Sequence, residues 1–253
     1  MRAAPLAVAL LAAVPWAAAG CGGSGDAPAG AKLMVYVSVP LSGPEARRGL
    51  AVANGAEEAL LEAGGAAAGA RVEAVVLDSG PGVSASGAPP PEADPARAAA
   101  NAREASEDST AIAYVGELDS QTTKTSLPIT NDARMLQISP SAGAVELVAP
   151  FEGSDEIPPE TQPSGARTFG TLAALDGDPR ELGAEAMALV LDSIERASNP
   201  LDRASVVEAF LATGERDSPL GAYAIDELGR AEPAGARYNR SRSAGSSSGK
   251  RNS

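Results

Sequence analysis

The stretch GELDSQTTKTSLPITNDARMLQISPSAG, residues 116–143, decides the fold of this chain. It follows the apolar run 111–115, which is long enough for one buried strand. Within the stretch, helix-start residues precede a short helix predicted over 121–133, and a second apolar run occupies 135–138. The order is strand, polar turn, helix, strand, polar turn, which is typical of an α/β protein with a parallel sheet.

Both polar turns lie at the carboxyl ends of predicted strands, where ligands bind in open α/β sheets. Asp119 and Ser120 begin the predicted helix, and the second turn contains Ser139 and Ser141. Backbone N–H groups at a helix start and nearby hydroxyls attract an anion such as a carboxylate. We therefore expect a small-molecule site that holds a carboxylate by hydroxyls and amides. A role for Ser120 as a helix cap alone is the alternative, because capping uses the same geometry.

The composition narrows the possible functions. The chain has 253 residues, a formal net charge of -13, no histidine and a single cysteine. The negative charge argues against nucleic acid as the main partner, because phosphate binding needs a basic face. Without histidine there is no Ser-His-Asp or Cys-His catalysis and no histidine metal site, and one cysteine forms no intrachain disulfide or cysteine metal cluster. We expect no enzyme activity, no metal and no cofactor.

Residues 1–20 are predicted as a signal peptide, with a positive start at Arg2 and an apolar segment that ends in small residues. A membrane-spanning helix is the alternative, but the segment is alanine-rich, contains two prolines and is barely long enough. Its end, Ala-Ala-Gly-Cys at 18–21, resembles the lipobox of bacterial lipoproteins. That resemblance implies lipid attachment to Cys21, an extracytoplasmic location and a flexible tether over 21–31. An ordinary secretory signal with a free thiol is the other possibility.

The segments around the deciding stretch extend the same pattern. Strands are predicted at 32–39 and 71–77, helices at 45–63 and 94–108, and a Gly/Ser/Pro-rich loop at 80–91. Together with the deciding stretch they predict a doubly wound α/β layer with a mostly parallel sheet over residues 32–148.

Five short motifs in this region carry a resemblance to a known family. They are VSVPLSGP at 37–44, NGAEEA at 54–59 with AGG at 63–65, DP at 94–95, YVG at 114–116 with Ser120, and ISPS at 138–141. In this order they resemble the first lobe of type I periplasmic binding proteins, and in particular the leucine/isoleucine/valine-binding receptors of ABC transporters. The resemblance implies an amino-acid-like ligand, an ABC transporter permease as partner, and attachment to the membrane through the lipid anchor.

The resemblance also assigns site residues. In the family, the first lobe holds most of the ligand's α-carboxylate and α-amino group. Matched motif to motif, two groups of residues correspond to the family's binding turns: Ser120, Gln121 and Thr122 at the helix start, and Ser141, Ala142 and Gly143 after the fourth strand. The family usually has a threonine or similar residue at the last position. Gly143 therefore removes one hydroxyl, which Ser141 or a backbone amide would have to replace.

The remainder of the chain is shorter than in that family. Residues 149–178 are predicted as loop and crossover, and most of the family's second lobe is missing. Residues 179–229 resemble the family's final part, with helices predicted at 181–197 and 201–213 and a strand at 220–226. The basic, Ser/Arg/Gly-rich segment 230–253 is predicted to be disordered.

Three interpretations of function remain. The first is a lipid-anchored solute receptor for branched-chain amino acids or related small polar acids. The second is a non-binding remnant or structural lipoprotein of the same fold, because the family binds tightly by closing two lobes and one open lobe binds weakly. The third is a hydrolase, which the sequence disfavours because it contains no evident nucleophile–base pair.

Overall fold

The structure, a computed structural model, describes residues 27–28, 30–82 and 93–234. Within these ranges the chain forms eight strands, which are β1 (Lys32–Val39), β2 (Ala66–Ala67), β3 (Ala70–Asp78), β4 (Ala111–Val115), β5 (Leu136–Ser139), β6 (Phe169–Thr171), β7 (Tyr223–Ile225) and β8 (Ala231–Pro233). It also forms five α-helices, which are α1 (Ala46–Glu62), α2 (Pro95–Glu107), α3 (Ser120–Asp132), α4 (Pro179–Arg196) and α5 (Arg203–Leu211).

Six strands form one sheet in the order β2-β3-β1-β4-β5-β6. Its strand pairs are parallel except the β2–β3 pair, which is antiparallel. The second sheet of the described residues has only two strands, β7 and β8. The predicted doubly wound, mostly parallel sheet is thus confirmed, and the described residues form one lobe without a second large sheet.

Both faces of the large sheet are covered by helices. Alternate residues of each strand point to opposite sides, so one strand contributes to two cores. On one face, Val35 and Val37 of β1 belong to a core shared with α1, α4 and α5. On the other face, Tyr36 of β1 and Tyr114 of β4 pack with Ala102 of α2. Burial on both sides explains why these strands read as continuous apolar runs.

Predicted and observed boundaries agree closely up to β5, apart from the two-residue strand β2, which was not predicted, and less well after it. Strand β6 lies inside the segment 149–178, which was predicted as loop and crossover, and that prediction is wrong there. The strand forms because the Gln137 N–H donates to the Thr168 carbonyl (2.8 Å) and the Phe169 side chain is buried. Helix α5 begins later than predicted because Asp202 caps it by accepting the Ser205 N–H (2.8 Å).

The predicted disordered tail also begins too early, because β8 lies within 230–253 and pairs with β7. The chain folds back at Gly229, which has φ +84°, and the Asp226 N–H then donates to the Arg230 carbonyl (2.9 Å). Glycine tolerates this φ without steric cost. At the other end, the predicted tether reaches the lobe before residue 31, since the Ala27 N–H donates to the Ala68 carbonyl (2.8 Å).

Several predictions fall on segments that the structure does not describe. The predicted signal peptide, Cys21, the first part of the tether, residues 83–91 of the loop at 80–91, and the tail from residue 235 lie outside the described residues. Within the described ranges, every helix is too short or too polar to cross a bilayer.

Arg203 links α5 to the amino end of the sheet by hydrogen bonds. Its guanidinium donates to four backbone carbonyls, those of Asp108 (2.7 Å), Ala111 (2.8 Å), Ala133 (3.3 Å) and Ser106 (3.4 Å). We expect Arg203→Met to lower the free energy of unfolding by about 2 kcal/mol, because water replaces only part of these hydrogen bonds. Urea unfolding measures the change, and Arg103→Met, at an exposed position of α2, is the control. Equal stability of the two variants would contradict this role.

Candidate functional site

The candidate site lies at the carboxyl edge of the sheet. The strand order places β3 and β4 on opposite sides of β1, so the direction of winding reverses between β1 and β4. In open α/β sheets, ligands bind outside the carboxyl ends of the strands at such a switch point. We use "rim" for the turns at this edge, which comprise residues 40–48, 116–122 and 139–144.

Side chains from β5 and the turn after it hold three successive carbonyls of the turn after β4. Because the strand has a period of two, Gln137, Ser139 and Ser141 all face this turn. Their donors meet the carbonyls of Gly116 (3.0 Å), Glu117 (2.5 Å) and Leu118 (2.7 Å), respectively. The turn between β4 and α3 therefore has a defined position before any ligand arrives.

Gly116 is required where β4 ends. It has φ +142°, and an added Cβ would lie 2.3 Å from the Ser38 carbonyl oxygen of β1. A larger residue would force β1 and the turn apart, so glycine allows the backbones to approach each other closely at the switch point.

The start of α3 is capped by the chain's own carboxylate. Asp119 Oδ1 accepts the Gln121 and Thr122 N–H groups, each at 2.9 Å, and Oδ2 accepts the Thr122 hydroxyl. These amides are among the donors that the sequence assigns to a ligand carboxylate. Because Asp119 already supplies an anion there, a ligand finds fewer free amides at this helix start than predicted.

The structure places Ser120 and Ser141 at the same rim, as predicted, and both are partly exposed. The Ser120 hydroxyl accepts the Ala144 N–H (3.2 Å). The Ser141 hydroxyl donates to the Leu118 carbonyl (2.7 Å) and accepts from Arg48 Nη2 (2.8 Å). Their role in ligand binding stays a prediction.

The other two residues of the second turn differ in what they offer. Ala142 is buried, its N–H donates to the Ser139 hydroxyl (2.8 Å), and its carbonyl accepts from Thr171 (2.6 Å). Gly143 is exposed, and an added Cβ would lie 2.8 Å from the Ala173 Cβ. The close approach of Ala173 gives a physical reason for glycine where the resembling family has a larger residue.

Arg48 is a rim residue that the sequence reasoning missed. It lies in the first turn of α1, and besides the hydrogen bond to Ser141 it has one carboxylate nearby, Glu45 Oε2, at 3.5 Å from Nη1. That separation is longer than a good N–H···O hydrogen bond. The side chain is 40% exposed, so part of it is accessible to solvent at the rim. A basic residue at a helix start opposes the helix dipole, and this was the available signal in the sequence.

A small cavity of about 30 Å³ lies among these groups, enough for about two water molecules. It is lined by Pro40, Glu45, Arg48, Ser79, Ala93, Leu118, Asp119 and Thr122. A larger groove of about 860 Å³ lies elsewhere, between the end of α1 and the start of β3. The larger groove is at the amino ends of the strands, so we assign the functional site to the smaller one at the switch point.

A buried carboxyl lies beside this cavity. Glu117 is 1% exposed, its Oε1 accepts the Tyr114 hydroxyl (2.6 Å), and its Oε2 has no hydrogen-bond partner. Burial raises the pKa of Glu117 to about 7, against the lowering effect of the Tyr114 hydrogen bond and of the nearby Ser38 and Ser79 hydroxyls. The two serines influence this pKa by proximity, but neither makes a hydrogen bond of good geometry with Oε2.

In the described part of the chain, no group of three or more Asp, Glu or Cys side chains is arranged to hold a metal ion. The donors of the rim that the site can use include the Arg48 guanidinium, the partly exposed Ser120 and Ser141 hydroxyls and a few amides. This set of donors suits recognition of a small anion.

A comparison with protein-family models gives no match, and a comparison with curated proteins gives none either. Solved structures do match. A putative branched-chain amino acid ABC transporter protein of Rhodospirillum rubrum matches with a TM-score of 0.59 and 14% identity, covering 80% of this chain and 95% of the other.

Two further structures match over a similar extent. The branched-chain amino acid substrate-binding protein LivJ of Streptococcus pneumoniae, solved with isoleucine, has a TM-score of 0.57 and 13% identity, covering 79% of this chain and 93% of the other. An ABC transporter solute-binding protein of Rhodopseudomonas palustris, solved with 3,4-dihydroxybenzoic acid, has a TM-score of 0.57 and 12% identity, covering 79% and 90%. The described lobe therefore has the fold of the type I periplasmic binding proteins.

Proposed function

We propose that this chain is an extracytoplasmic solute-binding lipoprotein of an ABC importer. In this proposal its rim binds a branched-chain amino acid or a related small acid. The similar structures support the class of ligand, because isoleucine and 3,4-dihydroxybenzoic acid, which two of them hold, both carry a carboxylate. The permease of the importer is then the protein partner, and a lipid on Cys21 is the link to the membrane.

The observation that carries this proposal is the position of Arg48. Its guanidinium lies at the switch point and donates to the Ser141 hydroxyl, and the Glu45 carboxylate beside it is 3.5 Å from Nη1, which is longer than a good hydrogen bond. A guanidinium with free donors binds a carboxylate through two parallel N–H···O bonds. Ser141 then fixes the guanidinium and can turn its own hydroxyl toward the ligand.

Glu45 favours an amino acid over a simple carboxylic acid. Its carboxylate lies beside Arg48 and is 44% exposed. An α-amino acid places an ammonium group next to its carboxylate, so the two charges of the ligand match the two charges of this pair. A ligand without the ammonium group leaves Glu45 close to an uncompensated negative charge.

The expected affinity is low. Hydrogen bonds from a guanidinium to a carboxylate contribute about 1.5–3 kcal/mol each, whereas association costs about 4–15 kcal/mol. The two terms nearly cancel, so one open lobe is expected to bind with a Kd of about 1 mM or weaker.

A non-binding protein of the same fold is the second candidate, and two observations favour it. Asp119 already occupies the start of α3, and the cavity at the rim holds only about two waters. Calorimetry separates the candidates, because a receptor releases or absorbs heat with leucine and a folded non-binding protein does not.

Replacing Arg48 tests the anchor directly. We expect Arg48→Met to weaken leucine binding at least about tenfold, because the charge-assisted hydrogen bonds to the carboxylate are lost. Isothermal titration calorimetry of the full chain measures this. Arg47→Met is the matched control, since Arg47 is an exposed neighbour on the same helix turn. Equal affinities of the two variants would show that Arg48 is not the anchor.

The lipid anchor has a separate test. Labelled fatty acid is expected to enter the wild-type protein in a bacterial host and to be absent from the Cys21→Ala variant. Labelling of both proteins, or of neither, would contradict attachment at Cys21 while leaving the ligand proposal in place.

A further inference from the structure

Glu117 is a buried acid that the binding chemistry of the rim does not use. It follows β4 directly, at the switch point, and its side chain is 1% exposed. Oε1 accepts one hydrogen bond, from Tyr114, while Oε2 is buried without a partner. A carboxylate with a buried, unsatisfied oxygen is costly, and protonation removes most of that cost.

The groups near the Glu117 carboxyl are mainly hydroxyls, and Arg48 lines the cavity beside it. Ser38 from β1 and Ser79 after β3 lie near its carboxyl, and Asn101 of α2 donates to the Ser38 hydroxyl (3.0 Å). The titratable groups that face it in the described structure are Tyr114 and Asp119, and the negative charge of Asp119 disfavours ionisation further.

The backbone of Glu117 belongs to the turn that holds the rim together. Its carbonyl accepts the Ser139 hydroxyl (2.5 Å), and the next carbonyl accepts the Ser141 hydroxyl (2.7 Å). Ser141 in turn accepts from Arg48 (2.8 Å). A displacement of the turn is therefore transmitted to the guanidinium through two hydrogen bonds.

We propose that Glu117 is a positioning residue for the rim, whose protonated carboxyl keeps the turn after β4 in place and whose ionisation releases that turn and weakens ligand binding. The effect on affinity rests on the proposed function; the effect on the rim does not. Once the carboxyl is ionised, Oε2 needs a hydrogen bond from water or from a new donor, and the turn moves to make that contact.

The composition of the chain makes the titration of Glu117 easy to distinguish from that of other groups. Histidine is the usual group that titrates near neutral pH, and the chain contains none. Ordinary Asp and Glu side chains finish titrating well below neutral pH. A transition of the rim near neutral pH therefore has few possible sources besides Glu117, and Glu117→Gln removes that one.

The first measurement is an NMR titration of the full chain from about pH 5 to about pH 8.5. We expect the Glu117 side-chain carboxyl to titrate with a midpoint of about 7, and the Ser141 and Gly143 amide signals to shift with the same midpoint. The proposal is overturned if no carboxyl of the wild type titrates above about pH 6, or if the rim amide signals do not shift with that titration.

The second measurement is leucine binding by calorimetry at about pH 6 and about pH 8. Only the protonated fraction binds well, so wild type is expected to bind about tenfold more weakly at the higher pH. Glu117→Gln is expected to show the same affinity at both values. Glu57→Gln, at an exposed position of α1, is the control and is expected to keep the wild-type pH dependence.

The outcomes separate the two proposals. Binding that is equal at both pH values in wild type overturns the role of Glu117 and leaves the proposed function standing. Rim amides that titrate at about pH 7 in a protein that binds no leucine overturn the proposed function and support the positioning role. A Glu117→Gln variant that keeps the wild-type amide titration assigns the transition to another group and overturns the proposal.

Discussion

The wild-type protein is expected to lose about 3 kcal/mol of unfolding free energy as the pH rises from 4.5 to about 7, and Glu117→Gln is expected to abolish that loss. Burial raises the folded-state pKa of Glu117 from 4.5 to about 7. Between these values the folded state binds the proton and the unfolded state does not. Stability therefore falls across this window, which is the opposite of the usual behaviour of a paired carboxylate.

Urea unfolding at pH values across this window measures the effect. Asp78 and Asp108 do not obscure it: burial opposes their ionisation, but hydrogen bonds outweigh it and lower both pKa values. Their contribution is lost only as the pH falls below the ordinary range of aspartate. Glu57→Gln should retain the wild-type slope. A slope that survives in Glu117→Gln would mean that another group is responsible.

Gly55→Ala and Gly183→Ala are each expected to lower the free energy of unfolding by about 3 kcal/mol, because these glycines let α1 and α4 cross in close contact. A Cβ at Gly55 would lie 1.9 Å from the Arg180 carbonyl oxygen, and one at Gly183 would lie 2.2 Å from the Val52 carbonyl oxygen. Both obstacles are backbone atoms, so the helices have to separate. This loss exceeds the gain of about 1 kcal/mol that alanine usually brings to a helix.

Thermal or urea unfolding of the two variants measures this loss. Gly214→Ala is the matched control, because its added Cβ meets no atom within 4 Å. Its stability is expected to stay within about 0.5 kcal/mol of wild type. Wild-type stability in Gly183→Ala would contradict the packing of the returning helix α4 against the first lobe.

The predicted elements match the structure where the local sequence and the tertiary environment favour the same conformation. Strands β1 and β4 are buried on both faces, so their apolar runs stand out without knowledge of their partners. Asp94 and Asp119 precede the helices that they cap, and the side chain of each accepts two N–H groups. Such caps are local features, and a sequence displays them directly.

Strand β6 was missed because its evidence is not local. It has three residues, it follows a polar segment, and it is a strand only because β5 pairs with it. Strand β8 is similar: the Gly229 turn and the pairing with β7 override a polar composition that predicts disorder. Short strands at the end of a sheet owe their conformation to the partner strand, which propensity does not reveal.

Part of the candidate site was predictable from local sequence, and part depends on contacts between distant segments. The serines at 120 and 141 follow predicted strands, and the parallel sheet brings the two turns together. Arg48 reaches Ser141 across 93 residues of sequence, so no local pattern announces the contact. Glu117 follows an apolar run and resembles an exposed turn residue; its burial depends on β1, β3 and α2, which only the folded chain brings around it.

The most direct test of the account is calorimetric titration of leucine into the folded full chain near pH 6, with Arg48→Met alongside. The account predicts saturable heat with a Kd of about 1 mM for wild type and no saturable heat for the variant. A folded wild-type protein that gives no heat, or an Arg48→Met variant that binds as well as wild type, would contradict the assignment of this rim as the carboxylate-binding site.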